Sequence, residues 1–290
     1  MRIVRILGGL GNQMFQLALS EALRRQHPDE RVLLDLHGFR GYRKHRGFEL
    51  ASAFGISYEE ASLRDVARIA YPYPDYQSWR IGSRLLPSRK TMLCEARNFR
   101  LEPTALSRPG DTYYDGYWQH EEYFRDIREE LLSLFRFPEL TGEQNLHCRQ
   151  RIGDTGSCSI HIRRGDYLTD PLRRGTTGLD YTNRAIKRMK ELADPECWCV
   201  FSDDIEWAKE HLSKLLPKAT IIYSEWNQGE KSVHDMHLMS LCQHNIIANS
   251  SFSWWGAWLS TRTAKVIIAP NNWMNMEDVC SPVPTGWLRI

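Results

Sequence analysis

Apolar and polar positions along the 290 residues change period in a repeating order. Residues 3–7 form a short apolar run, Gly8-Gly9-Leu10-Gly11 a tight loop, and Phe15, Ala18, Leu19, Ala22 and Leu23 then recur at helical spacing within 12–26. Strand, loop and helix follow from that spacing. Residues 32–36 are apolar with little alternation, as in a strand buried on both faces of a parallel sheet. From 38 to 109 the pattern breaks into Arg-, Tyr- and Pro-rich text, read as loops and short helices such as 58–70, suited to shaping a substrate cleft. A strand over 112–118 and a helix over 121–135 follow. Residues 143–156 are polar and bear glycine, and mark a boundary between domains 1–150 and 151–290. Beyond it strands at 158–162, 197–202, 220–223, 245–248 and 265–269 alternate with helices at 181–192, 205–215, 233–242 and 253–260. This order implies an α/β protein with two Rossmann-like domains facing a central cleft.

Charge narrows the class. With 38 Lys and Arg against 36 Asp and Glu, the net charge of +2 does not suggest a nucleic-acid binder. Ten Trp and twelve Tyr offer flat faces to sugar rings, although core filling is the default for most of them. Seven scattered cysteines fit a reduced, cytoplasmic compartment rather than a disulfide framework. Cys197 and Cys199 share one strand face and read as core thiols, since no second pair or His cluster completes a zinc site. No window approaches the roughly 18 apolar residues of a membrane span, and the charged 1–7 segment is not a signal peptide. A soluble chain is expected, with peripheral contact at the inner membrane left open.

Four segments lie where parallel sheets place ligands, beyond the carboxyl ends of strands. In Gly8-Gly9-Leu10-Gly11-Asn12-Gln13 the glycines allow close backbone approach, the helix start offers N–H groups, and Asn12 and Gln13 add amides. A nicotinamide reading through Gly9, Gly11 and Asp35 fails at the third glycine position, which is Met14. His161-Ile162-Arg163-Arg164-Gly165-Asp166 ends a strand with a fork suited to a diphosphate and a carboxylate able to take a proton. Arg163 lies on the face of His161 and is the arginine expected in the cleft. In Ser202-Asp203-Asp204, Ser202 or Asp203 is expected to cap the next helix, leaving the other acid to accept the paired N–H groups of guanine. Asn249-Ser250-Ser251-Phe252-Ser253 is a hydroxyl-rich cradle for phosphate at a helix start, and Trp254 and Trp255 read as core.

Taken together, Gly-Gly-Leu-Gly-Asn-Gln-Met-Phe-Gln, His-Ile-Arg-Arg-Gly-Asp-Tyr, Phe-Ser-Asp-Asp and Asn-Ser-Ser-Phe-Ser-Trp-Trp-Gly-Ala-Trp-Leu resemble the α-1,2-fucosyltransferases. They stand in that family's order across nearly the whole chain, in the manner of a bacterial member. The resemblance implies a GT-B fold and inverting, metal-independent transfer of L-fucose from GDP-fucose to the 2-hydroxyl of a galactose-terminated oligosaccharide or glycolipid precursor, with no cofactor. It implies that Arg163 contacts the diphosphate, that His161, Gly11 and Gln13 line the donor side, and that Asp203 or Asp204 reads guanine. Ser250, Ser251, Phe252 and Ser253 would hold phosphates and the fucose face. Asn12 resembles an asparagine near the reacting centre of the protein O-fucosyltransferases. Asp166 is the first candidate base, with Asp170 the alternative. A fucosyltransferase of other linkage, a non-catalytic glycan-binding module and an NAD-dependent oxidoreductase are the rival readings.

Overall fold

The computed structural model describes residues 1–154, 156–216 and 220–290. The chain divides into two units, Met1–Arg136 and Phe137–Ile290.

In the first unit, β1 (Arg2–Arg5) leads through the glycine loop to α1 (Leu10–Gln26) and β2 (Val32–Asp35). Three helices, α2 (Leu50–Phe54), α3 (Leu63–Ile69) and α4 (Tyr76–Leu85), precede β3 (Met92–Cys94) and β4 (Thr112–Asp115), and α5 (Arg128–Leu134) closes the unit. All four strands are parallel, in the order β2-β1-β4-β3. Every residue of β1 and β2 is buried, as in a sheet covered on both faces, and the buried charged residues at their ends are paired: Arg2 donates to Tyr114, Arg5 to Asp115, and Asp35 accepts from Tyr113. Ile3, Leu33 and Tyr113 pack on Val66 and Ile69 of α3. The start of α3 is set by a reciprocal cap between Ser62 and Asp65.

The second unit holds α6 (Glu143–Asp154), β5 (Ser157–Ile162), α7 (Leu179–Leu192), β6 (Cys197–Ser202), α8 (Ile205–Leu215), β7 (Thr220–Ser224), α9 (Ser232–Leu241), β8 (His244–Ile246), α10 (Ser251–Trp258), β9 (Ile267–Ala269) and β10 (Leu288–Arg289). Its six parallel strands run β10-β9-β8-β5-β6-β7. Strand alternation builds two cores. Cys158, Ile160, Trp198 and Val200 meet Ala185, Met189, Ala208 and Leu212 of α7 and α8. Cys197, Cys199 and Phe201 meet Cys148 and Ile152 of α6 and Leu238 of α9. Cys197 and Cys199 are buried core thiols, in no disulfide, as their shared face implies. Trp254 and Trp255 are fully buried.

Each sheet reverses its direction of growth beside its first strand. In the second unit the chain steps outward from β5 to β6 and β7, then returns to add β8, β9 and β10 on the other side. In the first, β1 lies between β2 and β4. Crevices open at the carboxyl ends of strands at such reversals, here β5 with β8 and β1 with β4.

Several expected elements differ. The polar 143–156 stretch is α6 up to Asp154 and belongs to the second unit, so the division falls at 136/137 and not at 150/151; position 155 lies outside the described residues. Asn145, Cys148 and Ile152 are its buried positions, at helical spacing, but only two of them are apolar. The expected helix over 121–135 is two 3-10 turns followed by α5, interrupted at Phe124, whose φ of −143° is not helical. The strand expected over 112–118 ends at Asp115, because Trp118 turns the chain through a left-handed φ of 56°. No helix among the described residues is long and apolar enough to cross a membrane.

Candidate active site

The reversal of the second sheet gathers three of the four expected segments. His161, near the end of β5, shares a 2.8 Å hydrogen bond between its Nδ1 and Oγ of Ser253 on α10. Burial and the Arg163 charge push the His161 imidazolium down to about 3, so the ring is neutral at physiological pH. Ser253 is 1% exposed, and its hydroxyl also donates to the Ser250 carbonyl at 3.3 Å. It therefore orients His161. Ser250 is the N-cap of α10, accepting from the Phe252 N–H at 3.3 Å. Phe252 lies 6.0 Å from the His161 ring. The Ser251 hydroxyl has no hydrogen-bond partner among the described residues and is the one of the run open to a ligand. Asn249 is a lock: 3% exposed, it bonds Thr176, Thr177 and the Trp273 carbonyl.

Both arginines are held by acids. Arg163 pairs with Asp166 at 2.9 Å and Asp203 at 3.2 Å. Arg164 pairs with Asp204 at 3.0 Å and lies 4.1 Å over the Trp207 ring, while its backbone N–H donates to Asp203 at 2.8 Å. Asp204, not Ser202 or Asp203, caps α8, accepting from the Trp207 N–H at 3.3 Å. The Ser202 hydroxyl instead accepts from the Asp204 N–H at 2.9 Å. Two adjacent acids cannot be told apart by cap propensity. Arg164 is thereby committed to fastening the loop on α8, and Arg163 is the arginine that pairs with the exposed Asp166. Gly165 has a packing reason: a Cβ there would stand 2.7 Å from Asp203 Oδ2.

Asp166 sits in a 3-10 turn with its side chain 61% exposed, within reach of Arg163. Asp170 pairs with Arg173 and accepts from the Leu172 N–H at 2.9 Å. Between them, Tyr167 donates to the Asn249 carbonyl at 2.9 Å, with Arg163 and Arg173 5.7 and 5.4 Å from its ring. Burial raises its hydroxyl to about 12, so it remains a donor. Sequence reasoning missed Tyr167 as the post tying the arginine loop to β8, although it closes the His-Ile-Arg-Arg-Gly-Asp-Tyr run.

The fourth segment lies in the first unit. Gly8 adopts a φ of +99°, and a Cβ there would meet Asn12 Nδ2 at 2.8 Å. Asn12 is half-buried and accepts from Gln119 at 2.8 Å. Gln13 is fully buried, and its amide donates to the Gly8 and Gly47 carbonyls and accepts from the Glu49 N–H, each at 2.8 Å. In this structure the amide holds the loop. Gln16, unnoticed in the sequence, does the same between the Leu7 N–H and the Gly116 carbonyl. Gly11 is buried within the first turn of α1. Asp35, the acid a dinucleotide reading would use, is 5% exposed and accepts from His37 at 2.7 Å and Tyr113 at 2.6 Å. Burial raises its carboxyl, but these bonds outweigh burial and the net shift is down.

Residues 97–288 match the model of glycosyl transferase family 11. The chain belongs to glycosyl transferase family 11. It is 34% identical to an α-1,2-colitosyltransferase of Escherichia coli over 99% of this chain and 98% of that one. It is 31% identical to the O-antigen biosynthesis glycosyltransferase WbnK of Escherichia coli, over 98% of each. Galactoside α-(1,2)-fucosyltransferase 1 of Leontocebus fuscicollis is 27% identical across 48% of this chain and 40% of that protein. Among solved structures, a variant of Arabidopsis thaliana FUT1 in complex with GDP aligns over 98% of this chain and 74% of that one at a TM-score of 0.51 and 15% identity, a likeness of fold. The fold is α/β of the GT-B class. As a member of family 11, the protein is a glycosyltransferase.

Proposed function

We propose that this enzyme transfers L-fucose from GDP-fucose, with inversion, to the 2-hydroxyl of a terminal galactose on a surface-glycan precursor or free oligosaccharide. The observation that carries the reading is the arginine pair at the β5–β8 reversal, beside neutral His161 and open Ser251. A donor diphosphate competes with Asp166 and Asp203 for Arg163, whose guanidinium can bind two of its oxygens at once. Arg164 stays on Asp204 and Trp207 and keeps the loop in register. With Asp204 occupied as a cap, recognition of guanine falls to Asp203.

The acceptor oxygen then attacks the anomeric carbon from the face opposite the diphosphate. The bond from that carbon to the diphosphate oxygen breaks, its electron pair leaves on GDP, and Arg163 stabilises the charge that develops. The hydroxyl proton passes to Asp166, which the move of Arg163 onto the diphosphate releases from its ion pair. Asp170 is the weaker base, since the Leu172 N–H and Arg173 hold its carboxylate. Asn12, beside Gly8 in the first unit, serves the reacting centre in this reading.

Purified protein with GDP-fucose and lactose should release GDP and yield a 2-fucosylated product identified by NMR. Neither GDP nor product would refute the reading. A second donor is favoured by the full-length identity to a colitosyltransferase. Colitose is the 3-deoxy analogue of L-fucose, so competition between GDP-fucose and GDP-colitose decides between them by their kcat/KM ratio.

A further inference from the structure

Outside the candidate site, the first unit carries a surface that transfer chemistry does not use. Helix α4 has no fully buried residue. It is nonetheless pinned: a Cβ on Gly82 would stand 2.2 Å from the Tyr73 ring, and Trp79 donates to Asp115 at 3.1 Å with Arg5 4.1 Å over its ring. This anchoring leaves Ile81 and Leu85, one turn apart, 59% and 75% exposed, with Leu86 beyond them 46% exposed. They are three of the seven exposed large hydrophobic residues among those described, and they lie within six positions.

Cations accompany this ridge, Arg80 and Arg84 on α4 itself and others in the loop packed on its first turn. The loop that precedes α4 in space packs on its first turn, with the Tyr76 N–H donating to the Arg40 carbonyl at 2.9 Å and the Tyr42 and Tyr76 rings 4.7 Å apart. Arg43, Lys44, Tyr42 and Tyr76 help to line a pocket of about 360 Å³ there. Residues 36–48 and 76–94 hold eight Lys and Arg and no Asp or Glu. The other 30 of the chain's 38 cations face all 36 of its acids, so the rest of the molecule is net acidic by six. Glu49 pairs with Arg46 and Asp75 caps α4, but Arg40, Arg43, Lys44, Arg80 and Arg84 have no ion-pair partner among the described residues.

We propose that α4 and the 40–46 loop dock this enzyme on an anionic phospholipid bilayer. An apolar ridge flanked by unneutralised Arg and Lys is what an interfacial helix presents: apolar side chains enter the acyl boundary while cations stay among the head groups. The charge segregation selects a bilayer over a second copy of this chain, which would bring a like-charged face to the same patch. The inference does not depend on the donor or the acceptor.

The test is co-sedimentation of the full chain with vesicles of phosphatidylcholine alone and of phosphatidylcholine mixed with phosphatidylglycerol. Binding should appear only with the anionic lipid and weaken in high salt. Each cation near such a surface is worth roughly fivefold, so Arg43→Ala/Lys44→Ala should weaken binding about 25-fold. Ile81→Ser/Leu85→Ser should weaken it about tenfold or more. Circular dichroism and Tm should match the parent, since all four side chains are exposed. Lys187→Ala/Arg188→Ala on α7 removes equal charge elsewhere and should leave binding unchanged. No binding to anionic vesicles at low salt overturns the proposal, as does equal weakening by the α7 pair. A concentration-dependent dimer abolished by Ile81→Ser/Leu85→Ser would show a second copy on this face, and also overturns it.

Discussion

Replacing Arg163 and Arg164 by alanine should produce opposite rankings in activity and in stability. Arg163 contacts Asp166, whose side chain is 61% exposed, and Asp203, 24% exposed. Ion pairs so open to solvent contribute below about 1 kcal/mol each, so Arg163→Ala should lower Tm by only a few degrees. If Arg163 carries the charge of the departing diphosphate, the same change removes an electrostatic contact made most strongly in the transition state. Losses of this kind are on the order of 10²–10³ in kcat. Arg163→Lys keeps the charge but loses the planar fork, and should recover only part of the rate. Arg164 has the reverse profile: its guanidinium covers Trp207 at 4.1 Å and holds the carboxylate that caps α8. Its removal combines a cation–π contact with a weakened cap, about 1–2 kcal/mol together, and a smaller kcat loss. Initial rates of GDP release, with thermal melts on the same preparations, give both rankings. Full kcat in Arg163→Ala, or a larger kcat loss in Arg164→Ala than in Arg163→Ala, would refute the assignment.

Three further outcomes are expected. Gln13→Ala removes three buried hydrogen bonds and should cost about 3 kcal/mol in urea unfolding, whereas a surface-like change below about 0.5 kcal/mol would show that Gln13 does not clamp the loop. Asp203→Asn should bind GDP more weakly by calorimetry and lose most of its preference for GDP over ADP; an unchanged preference removes Asp203 from guanine recognition. Burial holds the Asp235 carboxyl at about 7, against 3.8 in the unfolded chain, although Ser224 and Asn227 donate to it. Between those values only the unfolded chain has released the proton, so stability is full below about 3.8 and falls as pH rises to about 7, by at most about 4 kcal/mol. Asp235→Asn keeps the acceptor for both donors and should stabilise the protein by about 1–3 kcal/mol near pH 8 but not near pH 4, and equal effects at both pH values would contradict the burial argument.

The elements most legible in the sequence are those whose signals are local. β6 and α8 match their expected bounds because an apolar run, a polar turn with its cap, and a helical repeat follow one another within 19 residues. α4 and α6 were hidden for a shared physical reason. α4 buries no residue fully, its Ile81 and Leu85 facing outward, and α6 uses Asn145 at one buried position, bonded to Thr141 and Asn227, so neither shows an apolar stripe facing a core. β3 has three residues, too few for a period. In the candidate site, the residue types were legible and their partners were not. Whether Asp203 or Asp204 caps α8, and whether Ser253 faces a ligand or His161, depends on strand neighbours: β5 and β8 lie side by side though their chain positions are some 80 residues apart.

The two loops at the sheet reversals are stabilised by opposite chemistries, and under the proposed function that difference suits them to different ligands. In the first unit the glycine loop is held by the uncharged amides of Gln13 and Gln16, both fully buried. Amides can be spent on backbone groups at no cost in charge desolvation, so the loop presents a neutral surface with Asn12 as its polar side chain. That surface suits hydroxyl groups of a sugar. In the second unit the Arg163 loop is held by ion pairs left partly open to solvent. Such pairs are weak enough to exchange, and an incoming diphosphate can take Arg163 from Asp166 and Asp203 with little net loss. A buried pair there would make a firmer loop and a poorer donor site, because its acids would be left uncompensated when the arginine moved. Under the proposed function, partial exposure of this cluster suits a diphosphate that must displace its acids, and the buried amides suit a loop that stays fixed while the donor binds.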